Sequence, residues 1–316
     1  MRQAVLTEPK RFTVTDAPMP AIGPGEVLLR VAACGVCASE LDIYQGAAGH
    51  AVYPWHPGHE VSGVVERVGE LVAGLTAGDP VAVWATAGGY GEYLAVPAAH
   101  CFPAAGVALE LAALGEPLAC AVNAVELAGI RLGDDVVVVG AGFMGQLVNR
   151  LVQLRGPRQV IVADPRDDAL ARAAAAGATA TVNPARDDLG DAVADLTGGA
   201  GADVTIEITG SQGALEAIGD CTRMSGTLVI AGYHQGQPRQ VPLADWNWNA
   251  FRIANAHFRD VATILGGMRA GMRLVSSGRI SLEGLVTHRF SLAAIDQAFG
   301  TAIDKPDGFV KATVTP

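Results

Sequence analysis

The chain has 316 residues, length for about two domains. Half of it is apolar and 17% is charged, which supports a buried core and excludes a disordered chain. The formal net charge is −10, with no basic run, which excludes the cationic surfaces that grip nucleic acid or anionic membrane.

The first third, to about residue 115, carries short strand patterns over 27–31 and 61–68. Gly23-Pro24-Gly25, Gly69-Glu70, Gly78-Asp79-Pro80 and Gly88-Gly89-Tyr90-Gly91 punctuate them as turns. Such a pattern predicts a compact, mostly β, barrel-like domain, with Pro80 at an edge or at the start of a strand. After Leu118 the rhythm changes. A helix over 119–128 is followed by a strand over 135–139, a helix over 144–154, a strand over 160–163 and an alanine-rich helix over 168–176 that Gly177 ends. Strands over 203–208 and 227–231 continue the alternation. Buried-type strands alternating with helices predict a parallel sheet covered on both faces. The last stretch reads as a helix over 261–277, a strand over 285–290, a helix over 292–303 and a strand over 309–314. The division expected is 1–117, 118–253 and 254–316, the last returning to the first domain.

No membrane span is expected, because the strongest apolar stretch, 136–154, is interrupted by Gln146, Asn149 and Arg150. The first residues lack a signal-peptide apolar core, so the expectation is a soluble cytoplasmic protein. Five cysteines at scattered positions (34, 37, 101, 120, 221) then read as free thiols and candidate metal ligands.

Asp135-Val136-Val137-Val138-Val139 runs straight into Gly140-Ala141-Gly142-Phe143-Met144-Gly145. This is a dinucleotide-binding fingerprint in its proper context: it leaves a strand, opens a helix, and a second strand leads to Asp164, 19 residues beyond Gly145. Gly140 permits the tight turn, Gly142 lets the backbone approach a pyrophosphate, and Gly145 lets helix and strand pack closely. The helix N-terminus at Phe143 and Met144 offers N–H groups to the phosphates. Asp164 is positioned to bind the adenosine ribose hydroxyls and to repel a 2′-phosphate, favouring NAD over NADP. Arg166 opposes that preference, since an arginine there is able to pair with a 2′-phosphate; it also reads as a solvated charge at a helix start.

Candidate metal donors cluster in the first domain: Cys34-Gly35-Val36-Cys37, then Gly58-His59-Glu60, then Gly115-Glu116-Pro117-Leu118. A cysteine, a histidine and a carboxylate from separate loops suit a three-ligand catalytic zinc site with one open position. A second Cys-x-x-Cys is missing, which excludes a zinc ribbon. Glu116 also reads as an acid favoured by a helix N-terminus, and Ser39-Glu40-Leu41-Asp42 has the spacing of a capping box.

These motifs, in this order and along essentially the whole chain, resemble the medium-chain dehydrogenase/reductase superfamily, specifically its zinc-dependent alcohol and polyol dehydrogenases of the sorbitol and threonine dehydrogenase type. The resemblance implies an α/β fold in which a doubly wound Rossmann domain is inserted into a mostly β, GroES-like catalytic domain. It implies Cys37, His59 and Glu116 as zinc ligands, Glu60 as an alternating or outer carboxylate, and Ser39 as the first member of a proton relay that Asp42 finishes. It implies one zinc per chain, because the four-cysteine lobe of a second, structural zinc is missing between Pro80 and Gly91. The implied reaction is hydride transfer between a small secondary alcohol (a polyol, sugar or cyclitol) or its ketone and NAD, by a homo-oligomer, dimer or tetramer. Two other readings stand beside it: a zinc-free quinone or enoyl reductase of the same superfamily, and a non-catalytic dinucleotide-binding redox sensor. Tyr44, Trp55, His56, Trp84, His234, Trp246 and Trp248 are candidates for a substrate pocket or for packing.

Overall fold

A computed structural model describes residues 1–47, 51–234 and 236–316, which form two compact units. One joins Met1–Ala119 to Ile264–Pro316; the other is Cys120–Thr263.

The first unit opens with a hairpin, β1 (Arg2–Glu8) and β2 (Arg11–Asp16), which buries Ala4, Val5 and Leu6 of β1 and Phe12 of β2. β3 (Glu26–Gly35) is its apolar centre; the Val27-Leu28-Leu29 run is buried throughout. Then come α1 (Ala38–Tyr44), β4 (Glu60–Val68), β5 (Pro80–Trp84), β6 (Tyr93–Pro97), β7 (Cys101–Pro103) and the short helix α2 (Leu109–Ala112). Pro80 is the first residue of β5, where its missing N–H costs the ladder least. α3 (Gly115–Ala128) starts earlier than its periodicity predicts, which puts Glu116 in a helical first turn.

The second unit is a parallel sheet of β8 (Asp135–Val139), β9 (Gln159–Ala163), β10 (Ala180–Val182), β11 (Ala202–Glu207), β12 (Thr222–Ile230) and β13 (Arg252–Asn255). The crossovers carry α4 (Phe143–Val152), α5 (Asp167–Ala175), α6 (Leu189–Leu196), α7 (Gln212–Ala217) and α8 (Leu243–Trp248). β8 is buried at every position, as a strand covered on both faces must be. Strand order is β10-β9-β8-β11-β12-β13, so the direction of winding reverses beside β8. In open α/β sheets the crevice for ligands lies at the carboxyl ends of the strands at that reversal. β13 pairs with β12, so the unit runs on to Thr263, past the boundary expected at residue 253.

The chain closes with α9 (Val261–Ser276), β14 (His288–Ser291), α10 (Ile295–Asp304) and β15 (Ala312–Thr315). β15 pairs with β3, setting Val314 opposite Cys34 and Thr313 opposite Gly35. That pairing completes the seven-stranded mixed sheet and carries Lys311, the residue before β15, to the end of β3. Phe12, Tyr44, Tyr90 and Phe299 pack ring to ring in the core, Phe299 lying 4.9–5.7 Å from the other three. Among the described residues no helix is long and apolar enough to cross a membrane.

Candidate metal and coenzyme sites

The end of β3 and the start of β4 bring three donors together. Cys37 is the N-cap residue of α1, and Glu60 opens β4 opposite Gly35. The Cys37 Sγ, a His59 ring nitrogen and a Glu60 carboxylate oxygen all lie within 4.8 Å of one another. Glu116, expected as the third ligand, is not in this trio; Glu60, expected as an alternating or outer carboxylate, is. The reason lies in β-sheet register: a Cβ on Gly35 would fall 2.0 Å from Glu60 Oε2, so the glycine leaves the space through which the carboxylate enters.

Lys311 donates to Glu60 Oε1 at 2.7 Å, whereas Glu60 Oε2 is buried and has no hydrogen-bond partner among the described residues. A buried carboxylate oxygen left unpaired is costly. A cation held between Oε2, Cys37 and His59 would satisfy it, and soft sulfur with imidazole and carboxylate is a zinc donor set. Burial alone would lower the Lys311 ammonium; the charge of Glu60, with Cys37 and Glu116, outweighs it and holds the group above its ordinary value. Glu116 therefore faces the site electrostatically.

Outside the trio, Glu40 sets the imidazole. Its Oε1 accepts from His59 Nδ1 at 2.9 Å and from the Gly58 N–H at 2.7 Å, and its Oε2 accepts from the Tyr90 hydroxyl at 3.0 Å. With Nδ1 committed, Nε2 is the nitrogen left for a metal. Burial would raise the Glu40 carboxyl; the charge and hydrogen bond of His59, with Gly58 and Tyr90, prevail and hold it below the usual range. Tyr90 also donates to the Gly35 carbonyl at 2.8 Å, tying the aromatic core to the end of β3.

Cys34 is fully buried, and burial, reinforced by Glu40 and Glu60, pushes its thiol well above the ordinary value. It is inert packing. Ser39 donates to Cys37 Sγ at 3.2 Å. It does not cap α1: the N-cap residue is Cys37 and no side chain caps it, so the capping-box reading is corrected. No hydrogen bond among the described residues links Ser39 to Asp42; the buried acid of α1 is Glu40. Sequence reasoning missed Lys311, Tyr90 and the task of Glu40. The one available signal was a lysine inside the apolar run Phe309-Val310-Lys311-Ala312.

In the second unit the glycine-rich turn has the expected form. Gly140 adopts φ +112°. A Cβ on Gly145 would lie 1.8 Å from the Gly140 carbonyl oxygen. Gly142 is the N-cap residue of α4, and Phe143 and Met144 open the helix. The cradle thus fits a pyrophosphate at a helix N-terminus. Asp164 is not the bare charge expected. Its Oδ2 accepts from the Ala141 N–H at 2.8 Å and from Arg166 Nη2 at 3.1 Å, and its Oδ1 accepts from Arg166 Nε at 2.9 Å. Arg166, the N-cap residue of α5, is paired with Asp164 while its side chain stays 41% exposed, and its Nη2 reaches within 3.6 Å of where a Gly142 Cβ would stand. Of the aromatic candidates, Tyr44 and Trp246 are core residues, whereas Trp248 is 81% exposed.

The trio makes a testable demand on Gly35. Reconstituted protein is expected to hold about one zinc per chain. Gly35→Ala displaces the Glu60 carboxylate and should lower zinc content and affinity severalfold, whereas Cys34→Ala should leave zinc content unchanged; elemental analysis and competition with a chelator read both.

Comparison with known proteins agrees with this geometry. The alcohol dehydrogenase GroES-like domain matches residues 23–106, and the zinc-binding dehydrogenase domain matches residues 144–273. The chain is 30% identical to 2-dehydro-3-deoxy-L-galactonate 5-dehydrogenase of Pseudoalteromonas atlantica, over 96% of each protein. It is 29% identical to sorbitol dehydrogenase 1 of Saccharomyces cerevisiae, over 98% of this chain and 96% of the yeast protein. Among solved structures, one from Sinorhizobium meliloti 1021, assigned as a zinc-binding dehydrogenase and bound to NADP, superposes with a TM-score of 0.89 at 26% identity, covering 100% of this chain and 99% of that one. Cys37, His59, the glycine-rich turn and these full-length matches point the same way: the chain belongs to the zinc-dependent alcohol and polyol dehydrogenases of the medium-chain dehydrogenase/reductase superfamily.

Proposed function

We propose that the protein is a zinc-dependent dehydrogenase that oxidises a secondary alcohol of a polyol, sugar or cyclitol, or reduces the corresponding ketone, with NAD. The observation that carries the reading is the unpartnered Glu60 Oε2 beside Cys37 and His59, in a chain that also builds a dinucleotide turn. When bound, zinc supplies Lewis-acid polarisation of the alcohol oxygen, and the nicotinamide supplies the hydride acceptor. Cys37, His59 and Glu60 would hold the metal, and the charge of Glu116 is felt at Lys311 beside them. Glu40 keeps the His59 ring turned. Ser39 Oγ, beside Cys37 Sγ, takes the hydroxyl proton and hands it outward, to Asp42 or directly to water. Gly142 and the first turn of α4 bind the pyrophosphate, and Asp164 binds the adenosine ribose. Relatives that act on galactonate derivatives and on sorbitol support a hydroxyl-rich substrate over a simple alcohol.

A screen of polyols, sugars and cyclitols with zinc-loaded protein tests the reading by following the absorbance of reduced coenzyme. No turnover of any secondary alcohol with either coenzyme would refute it. Within that assay, Ser39→Ala should keep its zinc and its thermal stability, since Ser39 caps nothing. It should lower kcat by about 10²–10⁴-fold, with a smaller loss at high pH where hydroxide accepts the proton.

A second coenzyme reading, NADP, draws on the Asp164–Arg166 ion pair and on the NADP-bound relative. The two are separable. The NAD reading expects a higher kcat/KM with NAD in the wild type. Arg166→Ala frees Asp164 to repel a 2′-phosphate and should widen that preference several-fold, measured as the ratio of kcat/KM for the two coenzymes.

A further inference from the structure

Tyr90 is 1% exposed. Its ring lies edge to face with Phe299 at 5.7 Å and with Phe12 at 6.4 Å, and a phenylalanine would make both contacts. Packing therefore accounts for the ring and leaves the hydroxyl unexplained. A buried hydroxyl costs free energy unless it is hydrogen-bonded. This one has two acceptors, the Gly35 carbonyl at 2.8 Å and Glu40 Oε2 at 3.0 Å. Gly35 stands two residues before Cys37, and Glu40 holds the His59 ring. One phenol thus touches the supports of two metal donors.

A phenol has a single proton to share. A hydrogen bond to an ionised acceptor is roughly twice as strong as one to a neutral acceptor, so Glu40 has the stronger claim on it. Burial, then the charge of Glu40, raise the phenol well above its ordinary value, which keeps it a donor. The two carboxylate oxygens are unequally served. Oε1 accepts from His59 Nδ1 and from the Gly58 N–H, whereas Oε2 accepts from Tyr90 alone among the described residues. The torsion that turns a carboxylate plane is broad and two-fold. Without the hydroxyl, Oε2 would be a buried acceptor with no partner, and nothing on that side would hold the plane against the imidazole.

The turn that carries Tyr90 is fastened to the loop that carries His59. The Gly88 N–H donates to the His56 carbonyl and the Gly89 N–H to the Gly58 carbonyl, both at 2.9 Å. The approach is close from both sides: a Cβ on Gly58 would stand 2.8 Å from the Tyr90 nitrogen, and a Cβ on Gly89 2.8 Å from the Gly58 oxygen. Gly88-Gly89-Tyr90-Gly91, which the sequence offers only as a turn, is built onto the chain that delivers a metal donor.

We propose that Tyr90 is a positioning residue of the metal centre: its hydroxyl holds the Glu40 carboxylate in the plane that leaves His59 Nε2 turned toward the metal, so zinc affinity depends on a phenol outside the donor trio. This rests on the zinc reading above.

The test uses the full-length protein as wild type, Tyr90→Phe, Glu40→Ala and the double variant. Competition with a chelator gives the zinc dissociation constants. The visible spectrum of cobalt(II)-loaded protein reports the donor geometry, and thermal melting of the metal-free protein reports the fold. Wild type that holds no zinc refutes the zinc reading and this proposal with it. Where wild type holds zinc, Tyr90→Phe is expected to weaken it by about three- to tenfold, at or below the low end of the roughly 10–100-fold range for partners that bond a ligand directly, and to shift the cobalt bands. The same substitution made in Glu40→Ala should cost no further affinity, because the carboxylate through which it acts is gone. Wild-type zinc affinity in Tyr90→Phe, whatever its melting temperature, overturns the proposal and leaves the zinc reading standing. An equal loss of affinity in both backgrounds also overturns it, since the effect then runs through core packing or the Gly35 carbonyl.

Discussion

Glu60 is a negative charge buried where three distant stretches of chain meet, and the architecture of the first unit follows from the need to satisfy it. The carboxylate enters because position 35 has no side chain. One oxygen is met by Lys311 and the other is turned toward Cys37 and His59. An ammonium answers one oxygen; a metal bound with Cys37 and His59 would answer the second. Removing either cation leaves an acid stranded in an apolar setting, so the pairing of β15 with β3, which delivers Lys311, is part of the metal site as much as of the sheet.

A second carboxylate extends this order outward. Glu40 divides its oxygens between the metal-facing histidine and a tyrosine whose ring belongs to the aromatic core. The orientation of a donor nitrogen is thereby coupled to core packing, and a shift of the Tyr90 ring would be felt at His59.

What was legible in the sequence was local. The strand–turn–helix at Gly140–Gly145 could be read because glycine spacing, strand and helix lie within a short window. The cysteine and histidine of the metal site could be read because their flanking residues carry the resemblance. What could not be read was pairing at a distance. Lys311 and its partner, Glu60, are 251 residues apart in sequence, and only the pairing of β15 with β3 brings them together. The resemblance named Glu116 as the third ligand and Glu60 as an alternating or outer carboxylate; that Glu60 lies with Cys37 and His59 shows only once β3 and β4 are in register. Asp164 carried the right offset and Arg166 stood out as its rival, but that the two pair with each other is visible only when both side chains are in place. The capping box at Ser39 failed because α1 begins at Ala38, directly behind a metal donor.

The separation of Glu60 from Lys311 also orders events in time. On a ribosome adding roughly 5–20 residues per second, Cys37, His59 and Glu60 are made roughly 10–50 s before the lysine that completes their surroundings. The whole coenzyme unit, a single uninterrupted stretch, is synthesised in that interval. The nascent chain thus passes through a stage in which the dinucleotide fold can be complete while the metal donors still lack their charge partner.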